Sequence, residues 1–81
     1  MRFDFSPHFA RSYKQAPLDI QQAFDKQSLL LLLNLRHASL HAKKYDESQD
    51  LWQARVNQDW RFYFQIRGDA YVVVTIVRHP K

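Results

Sequence analysis

The sequence predicts an α+β domain in which two helices pack on one face of an antiparallel sheet. Apolar residues recur with a helical period over residues 7–35 and with a period of two over residues 51–79. Two helices followed by a run of strands are typical of an α+β arrangement. The chain has 81 residues. Since a typical domain takes about 150 residues, we expect residues 1–81 to form a single domain.

The composition is that of a folded protein with a positive net charge. Hydrophobic residues make up 46% of the chain and charged residues 25%, which argues against a disordered protein. Twelve Lys and Arg against eight Asp and Glu give a net charge of +4. This excess favours a nucleic acid, an anionic surface or an acidic protein as the partner. Cysteine is absent, which excludes disulfides and thiolate metal sites.

Neither a membrane span nor a signal peptide is predicted. The most apolar stretch, residues 29–33, is five residues long, whereas a transmembrane helix needs about 20. Residues 1–5 contain an acidic side chain and no long apolar region. We therefore expect a cytoplasmic protein with no membrane partner.

A short strand and a helix are predicted at the start of the chain. Residues 2–5 alternate, with Phe3 and Phe5 on one face, which predicts a strand. Ser6-Pro7 is typical of a helix start, since Ser accepts from free backbone N–H groups and Pro fits the first helical position. This helix is expected to end near Gln15.

A second helix is predicted from Pro17 to Leu35. Its last turns are apolar nearly all round, and such a helix requires cover from more than one side. The leucines span one heptad, which is too short for a coiled-coil seam. Residues 36–50 follow neither period, so we expect a loop there with at most one helical turn.

Three strands are predicted after this loop, over residues 51–57, 60–67 and 70–79. The short turns Gln58-Asp59 and Gly68-Asp69 connect them into a three-stranded antiparallel meander.

Alternation divides the side chains of the meander into an apolar and a polar face. To keep Phe64 on the same side as Val74, we expect a three-residue loop at residues 68–70, which pairs Tyr63 with Thr75. A two-residue loop would pair Tyr63 with Val74 and mix the two faces. The predicted core of the meander consists of Phe62, Phe64, Val74 and Ile76, with Val72 on the same face. The predicted polar face consists of Gln53, Arg55, Asn57, Arg61, Tyr63, Gln65, Thr75 and His79.

The polar face has two interpretations. A half-exposed antiparallel sheet needs a polar face, and Arg and Tyr are common there. The same residues also suit an anion-binding surface, because Arg presents a planar fork to phosphate and His moves protons near neutral pH. Cations interleaved with aromatic rings are typical of surfaces that bind single-stranded nucleic acid.

Other candidate sites are weaker. His37 and His41 are four residues apart and would share a metal ion only in a helix with a third ligand, which the sequence does not provide nearby. We therefore expect two solvated histidines and no metal or cofactor. Lys43-Lys44 is either solvated or in contact with a phosphate backbone. Gly68 is the only glycine, which excludes a glycine-rich phosphate loop.

Several segments together form a familiar pattern of short strand, two helices, basic loop and meander. The strongest is Trp60-Arg61-Phe62-Tyr63-Phe64, an aromatic-Arg strand opening. The others are Ser6-Pro7-His8-Phe9, His37-Ala38-Ser39-Leu40 through Lys43-Lys44-Tyr45, Leu51-Trp52-Gln53-Ala54-Arg55-Val56 and the closing Val77-Arg78-His79. Over nearly its whole length the chain resembles the RelE/ParE superfamily of bacterial toxin–antitoxin toxins.

The resemblance implies a RelE-like fold and one of two activities. RelE-like members are endoribonucleases that cut messenger RNA, mostly in the ribosomal A site, whereas ParE-like members poison DNA gyrase and cut no RNA. Members of both kinds are neutralised by a cognate antitoxin protein that wraps the toxin in a hetero-oligomer. The implied partners are therefore an antitoxin, messenger RNA and the ribosome.

The resemblance also implies roles for individual residues. Arg61 matches the phosphate-binding arginine, and His79 lies near a chain-end basic or histidine position that acts as acid or base. Arg55 matches a position that is often lysine, but a guanidinium stabilises charge and does not accept a proton. We expect Arg61 to be a surface residue whose removal leaves the fold intact. The implied RNA-binding residues are Tyr63, Gln53, Lys43, Lys44 and Arg78.

The leading interpretation is an endoribonuclease toxin, because a titratable group is predicted beside Arg61: His79, with His41 as a second candidate. A gyrase-directed toxin needs no such group. A non-catalytic RNA-binding module is the third interpretation.

Overall fold

The computed structural model describes residues 1–79 and confirms the predicted α+β class. The chain begins with four elements: β1 (Arg2–Phe5), α1 (Pro7–Gln15), α2 (Leu18–Leu33) and a 3₁₀ turn (Ala38–Leu40). Four strands follow: β2 (Lys43–Asp46), β3 (Leu51–Arg55), β4 (Trp60–Arg67) and β5 (Ala70–Arg78). No helix within the described residues is long and apolar enough to cross a membrane.

The strands form one mixed sheet in the order β1-β5-β4-β3-β2. The predicted meander corresponds to β3, β4 and β5, which pair antiparallel. β1 joins the sheet beside β5 and runs parallel to it. β2 pairs antiparallel with β3, so the prediction of a loop throughout residues 36–50 is wrong. β2 is a four-residue edge strand, KKYD, and its charged residues hide the alternation that identifies a strand.

α1 begins where predicted, and its N-cap residue anchors it to the sheet. The Ser6 hydroxyl accepts a hydrogen bond from the backbone N–H of Phe9 at 2.9 Å. It also donates to the carbonyl of Val74 at 2.8 Å. The N-cap of α1 therefore also fixes the position of the helix on β5.

α2 ends at Leu33, two residues before the predicted end. Its buried residues include Ile20, Phe24 and Leu31. The opposite side of its last turns stays open, with Leu29 63% and Leu33 81% exposed. The cover expected for these leucines is not supplied by the described part of the chain.

The core lies between the helices and one face of the sheet. Phe24 of α2 is at its centre, with ring centroids 5.0 Å from Phe9 and 5.1 Å from Phe62. The largest fully buried side chains are Phe62, Phe64, Leu31, Leu40 and Val73. The predicted burial of Phe62, Phe64 and Ile76 is confirmed, whereas that of Val74 is wrong.

A β-bulge in β5 explains the error at Val74. Arg67 pairs with Ala70, so the β4–β5 loop has two residues and the predicted three-residue loop is wrong. Further along the hairpin, Phe64 pairs with Val73, but the next residue, Tyr63, pairs with Thr75 as predicted. The register therefore shifts between Phe64 and Tyr63, and Val74 is the extra residue of β5. The extra residue is therefore accommodated inside the strand and not in the loop.

The bulge determines which side chains of β5 reach the core. Tyr71 and Val73 are buried at 5% and 0% exposure, where Val72 and Val74 were expected. Gly68 has a φ of 58°, a left-handed conformation that suits a two-residue hairpin loop.

Candidate functional site

A cleft of about 440 Å³ opens on the polar face of the sheet, opposite the helices. Apart from Ala42, its lining is polar and mostly basic: His41, Lys43, Gln53, Arg55, Arg61 and His79. These residues come from the strands β2, β3 and β4 and from the segments that flank β2 and β5. No carboxylate of the described chain lines the cleft, so its chemistry favours an anionic ligand.

Two arginines form the centre of the cleft. Arg55 on β3 and Arg61 on β4 are directly paired across the two strands. Their side chains lie on the same face, and like charges in directly opposed positions destabilise a sheet. An anion placed between them would remove this repulsion.

Arg61 is anchored to the turn between β3 and β4. Its Nη1 donates hydrogen bonds to the carbonyls of Asn57 at 2.9 Å, Trp60 at 3.0 Å and Gln58 at 3.3 Å. The turn is itself ordered by the Asn57 side chain, whose Oδ1 accepts from the backbone N–H groups of Asp59 and Trp60. One end of the guanidinium is therefore fixed before any ligand arrives.

The expectation that Arg61 is a surface residue is wrong. Only 8% of it is exposed, because the turn carbonyls hold it against the sheet. Burial lowers the pKa of Arg61, and the charge of Arg55 lowers it further, while Tyr63 and Asp59 act in the opposite direction. Arginine nevertheless remains protonated in proteins, so the cleft keeps a buried positive charge.

His79 lies just beyond the end of β5. Its backbone N–H donates to the carbonyl of Asp59 at 2.6 Å. The ring atom Nδ1 is buried and has no hydrogen-bond partner among residues 1–79. Arg61 pairs with Val77, two residues before His79, as the predicted register required. The structure thus brings Arg61, Arg55 and His79 into one cleft, while their chemical roles remain predictions.

Two tyrosines extend the polar face beside the cleft. Gln53 donates from Nε2 to the hydroxyl of Tyr63 at 2.8 Å. Tyr45 makes an edge-to-face contact with Tyr63, with ring centroids 5.0 Å apart, and is 58% exposed. Sequence reasoning missed Tyr45 because it placed residue 45 in a loop. No local pattern marks Tyr45, because the charged residues of β2 hide the alternation of a strand.

Two predicted RNA-binding residues do not lie at the cleft. Lys44 points away from Lys43, with its ammonium group 2.6 Å from a carboxylate oxygen of Asp50 and 5.3 Å from the Trp52 ring centroid. The hydrogen bond to Asp50 raises the pKa of Lys44, and its charge is already compensated. Arg78 lines a separate groove beside α1.

The two histidines near β2 have different surroundings. The Nδ1 atom of His37 accepts a hydrogen bond from the backbone N–H of Ser39 at 3.2 Å, which directs the ring toward its own 3₁₀ turn. His41 instead lines the cleft. Within residues 1–79, no three His, Asp or Glu side chains are grouped so that they could hold a metal ion.

Solved structures of toxins share this architecture. The YoeB/ParE toxin from Agrobacterium tumefaciens matches with a TM-score of 0.81 over 99% of this chain and 100% of that chain, at 10% identity. The chain has the RelE/ParE toxin fold. The isolated RelE toxin of E. coli matches with a TM-score of 0.75 at 12% identity, over 98% of this chain and 84% of that chain.

A third match comes from a RelB–RelE antitoxin–toxin complex of Methanococcus jannaschii. Its TM-score is 0.73 at 16% identity, over 91% of this chain and 87% of that chain. No protein-family model and no curated protein matches the chain. At these identities the likeness establishes the RelE/ParE fold, and the predicted RelE-like architecture is confirmed.

Proposed function

We propose that this chain is the toxin of a type II toxin–antitoxin system and a metal-independent endoribonuclease. It cuts messenger RNA at the ribosome and thereby inhibits translation in the cytoplasm. The observation that carries the proposal is the directly paired Arg55 and Arg61 in a cleft that includes His79 and to which residues 1–79 contribute no carboxylate. The RelE/ParE fold is consistent with this reading.

The chemistry requires three contributions. A base removes the proton of a ribose 2′-hydroxyl, cations stabilise the charge that develops on the phosphate, and an acid protonates the leaving 5′-oxygen. Arg55 and Arg61 supply the cations. His79 supplies proton transfer, which neither guanidinium can provide.

The position of Arg61 favours catalysis over simple binding. Its three contacts with backbone carbonyls orient the guanidinium in the absence of RNA. A charge that is already oriented needs no rearrangement as the transition state forms, and it is stronger where water is excluded. The 8% exposure of Arg61 meets the second condition.

The residues next to the cleft suit single-stranded RNA. Tyr45 and Tyr63 offer aromatic surface for stacking bases, and Gln53 fixes the Tyr63 hydroxyl. Lys43 adds a positive charge at the rim for the adjoining phosphate. We assign base binding to this tyrosine pair and phosphate binding to the cleft.

An antitoxin is the proposed protein partner. The Methanococcus jannaschii RelE structure contains the RelB antitoxin. In the present chain, Leu29, Leu32 and Leu33 leave an apolar patch open on α2, which we name the leucine patch. The net charge of +4 favours an acidic partner, because complementary charge accelerates and directs association.

Induction in cells separates this function from its alternatives. We expect the wild-type protein to generate new messenger RNA 5′ ends with unchanged DNA supercoiling. Arg55→Gln should remove most of these ends, whereas Arg11→Gln, an exposed arginine on α1, should not. Altered supercoiling without new RNA ends would instead establish a gyrase-directed toxin, and RNA binding without either effect would establish a non-catalytic module.

A further inference from the structure

A second polar cavity lies at the end of β3, next to the cleft, and has a volume of about 500 Å³. Arg55 lines both cavities, so they meet at an arginine that we assign to phosphate binding. The lining residues come from α2, the 3₁₀ turn and the segment that leads from β3 into the next turn: Gln27, Ser39, Arg55, Val56, Asn57 and Gln58. We name this cavity the amide groove, after its carboxamide side chains.

Gln27 forms a buried wall of the amide groove and presents a fixed acceptor to it. Only 6% of Gln27 is exposed. Its Nε2 donates to the carbonyls of Arg55 at 2.9 Å and Ser39 at 3.2 Å, and since these carbonyls only accept, the orientation of the carboxamide is fixed. Oε1 accepts no hydrogen bond from residues 1–79 and keeps access to solvent. An oriented acceptor is therefore open to a ligand in the groove.

Asn57 contributes the complementary donor. Its Oδ1 accepts from the backbone N–H groups of Asp59 at 2.8 Å and Trp60 at 2.9 Å, which fixes the carboxamide in the opposite sense and leaves Nδ2 to donate. The groove thus offers one oriented acceptor and one oriented donor beside a guanidinium. The edge of a nucleobase carries both donors and acceptors, and RNA-binding proteins read it by such hydrogen bonds.

We infer that the amide groove binds the nucleobase next to the phosphate held by the arginine pair, and that it prefers a base with an exocyclic amino group to uracil. The inference rests on the proposed function for its ligand, RNA. Tyr63 pairs with Gln53, two residues before Arg55, whereas the groove begins at the end of β3. The arginine pair therefore lies between the tyrosine pair and the groove, and the bases on the two sides of the phosphate have separate sites.

The preference follows from the fixed orientation of Gln27. Because its Nε2 is already bonded twice, Gln27 can only accept from a ligand. Cytosine, adenine and guanine carry an exocyclic amino group that donates, whereas uracil has a carbonyl oxygen where cytosine has its amine. That oxygen would face Oε1 and repel it. Reversing the carboxamide would break both hydrogen bonds to Ser39 and Arg55, and buried carbonyls without a partner are costly.

The test is titration of the full chain with CMP and UMP, each as the 5′- and the 3′-monophosphate, followed by NMR. The two nucleotides share the phosphate and differ at the group that Gln27 would contact. Ribose 5-phosphate is the probe without a base. Gln27→Met removes the acceptor, and Asn57→Ser keeps a hydroxyl for the turn but removes the amide donor. Gln22→Ala, an exposed glutamine on α2 outside the groove, is the matched control.

We expect the wild-type chain to bind CMP about tenfold more tightly than UMP, as expected from one or two well-placed hydrogen bonds. CMP should shift the side-chain amide signals of Gln27 and Asn57, and ribose 5-phosphate should not. Gln27→Met should bind CMP and UMP equally, Asn57→Ser should bind CMP several-fold more weakly, and Gln22→Ala should behave as wild type. Urea unfolding verifies the fold, and Asn57→Ser, at an exposed position, decides the question if Gln27→Met does not fold.

Three results would overturn the inference: equal binding of CMP and UMP by the wild-type chain, an unchanged CMP preference in folded Gln27→Met, or unchanged CMP affinity in Asn57→Ser. Loss of the preference in Tyr45→Ala in place of Gln27→Met would put the base on the tyrosine pair and overturn it as well. The titration measures binding and not cleavage. A wild-type chain that shows the preference but cuts no RNA would therefore refute the endoribonuclease function and leave the base site standing.

Discussion

Arg55 and Arg61 are directly paired across β3 and β4, and Arg61 is fixed by two backbone carbonyls of the turn that joins these strands and by the carbonyl of Trp60 at the start of β4. Two guanidinium groups in this position repel each other, and the cleft offers no carboxylate from the described chain to offset them. The pair is therefore suited to bind the phosphate of RNA, and most of the functional proposal depends on it.

Anion binding between the two arginines should stabilise the folded protein. A ligand that binds only the native state at 100 times its dissociation constant adds about 2.7 kcal/mol. We expect inorganic phosphate to raise the melting temperature of the wild-type chain by several degrees, measured against sodium chloride at equal ionic strength. Arg55→Gln should lose this increase, and an equal increase in Arg55→Gln would show that phosphate acts elsewhere.

Arg61 should contribute to stability as well as to activity. Removing its hydrogen bonds to the turn in Arg61→Ala should lower the free energy of unfolding by about 1.5–3 kcal/mol, the usual worth of hydrogen bonds to a charged group. Arg61→Lys keeps the charge and one donor group and should lose less. Urea unfolding measures both values. Wild-type stability in Arg61→Ala would contradict the anchoring role and restore the original expectation of a surface arginine.

The bulge in β5 should be visible in a pair of valine variants. Val73 is fully buried and Val74 is only half-buried, so Val73→Ala should cost clearly more stability than Val74→Ala. Phe64→Ala, across from Val73, should cost about 3–5 kcal/mol and leave little of a domain this small folded. If Val74→Ala proves the costlier of the two valine variants, the three-residue loop expected from the sequence is the correct register.

The leucine patch should bind the antitoxin without stabilising the isolated toxin. Leu29→Ser and Leu33→Ser should change the free energy of unfolding by about 0.5 kcal/mol or less, as expected for exposed positions. Both should weaken antitoxin binding in calorimetry or surface-based assays. Leu18→Ser, 69% exposed at the other end of α2, is the matched control. Unchanged affinity in both patch variants would place the antitoxin on another surface, and insensitivity of binding to salt would exclude the electrostatic part of the proposal.

Sequence periodicity was sufficient for the elements that bury an apolar face. α1, α2 and the three meander strands each repeat apolar residues at their own period, so their positions follow from hydrophobic burial. The pairing of Arg61 with Val77 then follows as well, because the buried face of each strand fixes how its residues pair with those of the neighbouring strand. This is why the closeness of Arg61 and His79 could be anticipated without a structure.

Other features depend on interactions that a local pattern does not contain. β2 is a charged edge strand that is defined by its pairing with β3. The bulge at Val74 and a longer loop both pair Tyr63 with Thr75, so alternation alone cannot choose between them. In the structure, the two-residue loop at Gly68 and the hydrogen bond from Ser6 to the Val74 carbonyl identify the bulge as the correct alternative.

The candidate site was predictable only in part for the same reason. The burial of Arg61 results from carbonyls in the preceding turn, and the position of His41 results from the 3₁₀ turn and from β2. Neither of these two arrangements leaves a repeat of hydrophobic residues in the sequence. That Lys43 and Lys44 lie on opposite faces of the sheet likewise follows only when β2 is known to be a strand, since adjacent residues of a strand point to opposite faces.

The most direct test of the central claim is the rate at which 5′-hydroxyl RNA ends appear on programmed ribosomes when the protein has first been treated with EDTA and then freed of the chelator. Attack by the 2′-hydroxyl leaves a 5′-hydroxyl on one fragment and a 2′,3′-cyclic phosphate on the other. We expect the wild-type protein to form both ends at the same rate with and without this treatment, and His79→Ala to be slower by about 10²- to 10⁴-fold. Fragments with 5′-phosphate ends, loss of cleavage after the EDTA treatment, or a fully active His79→Ala would contradict the account.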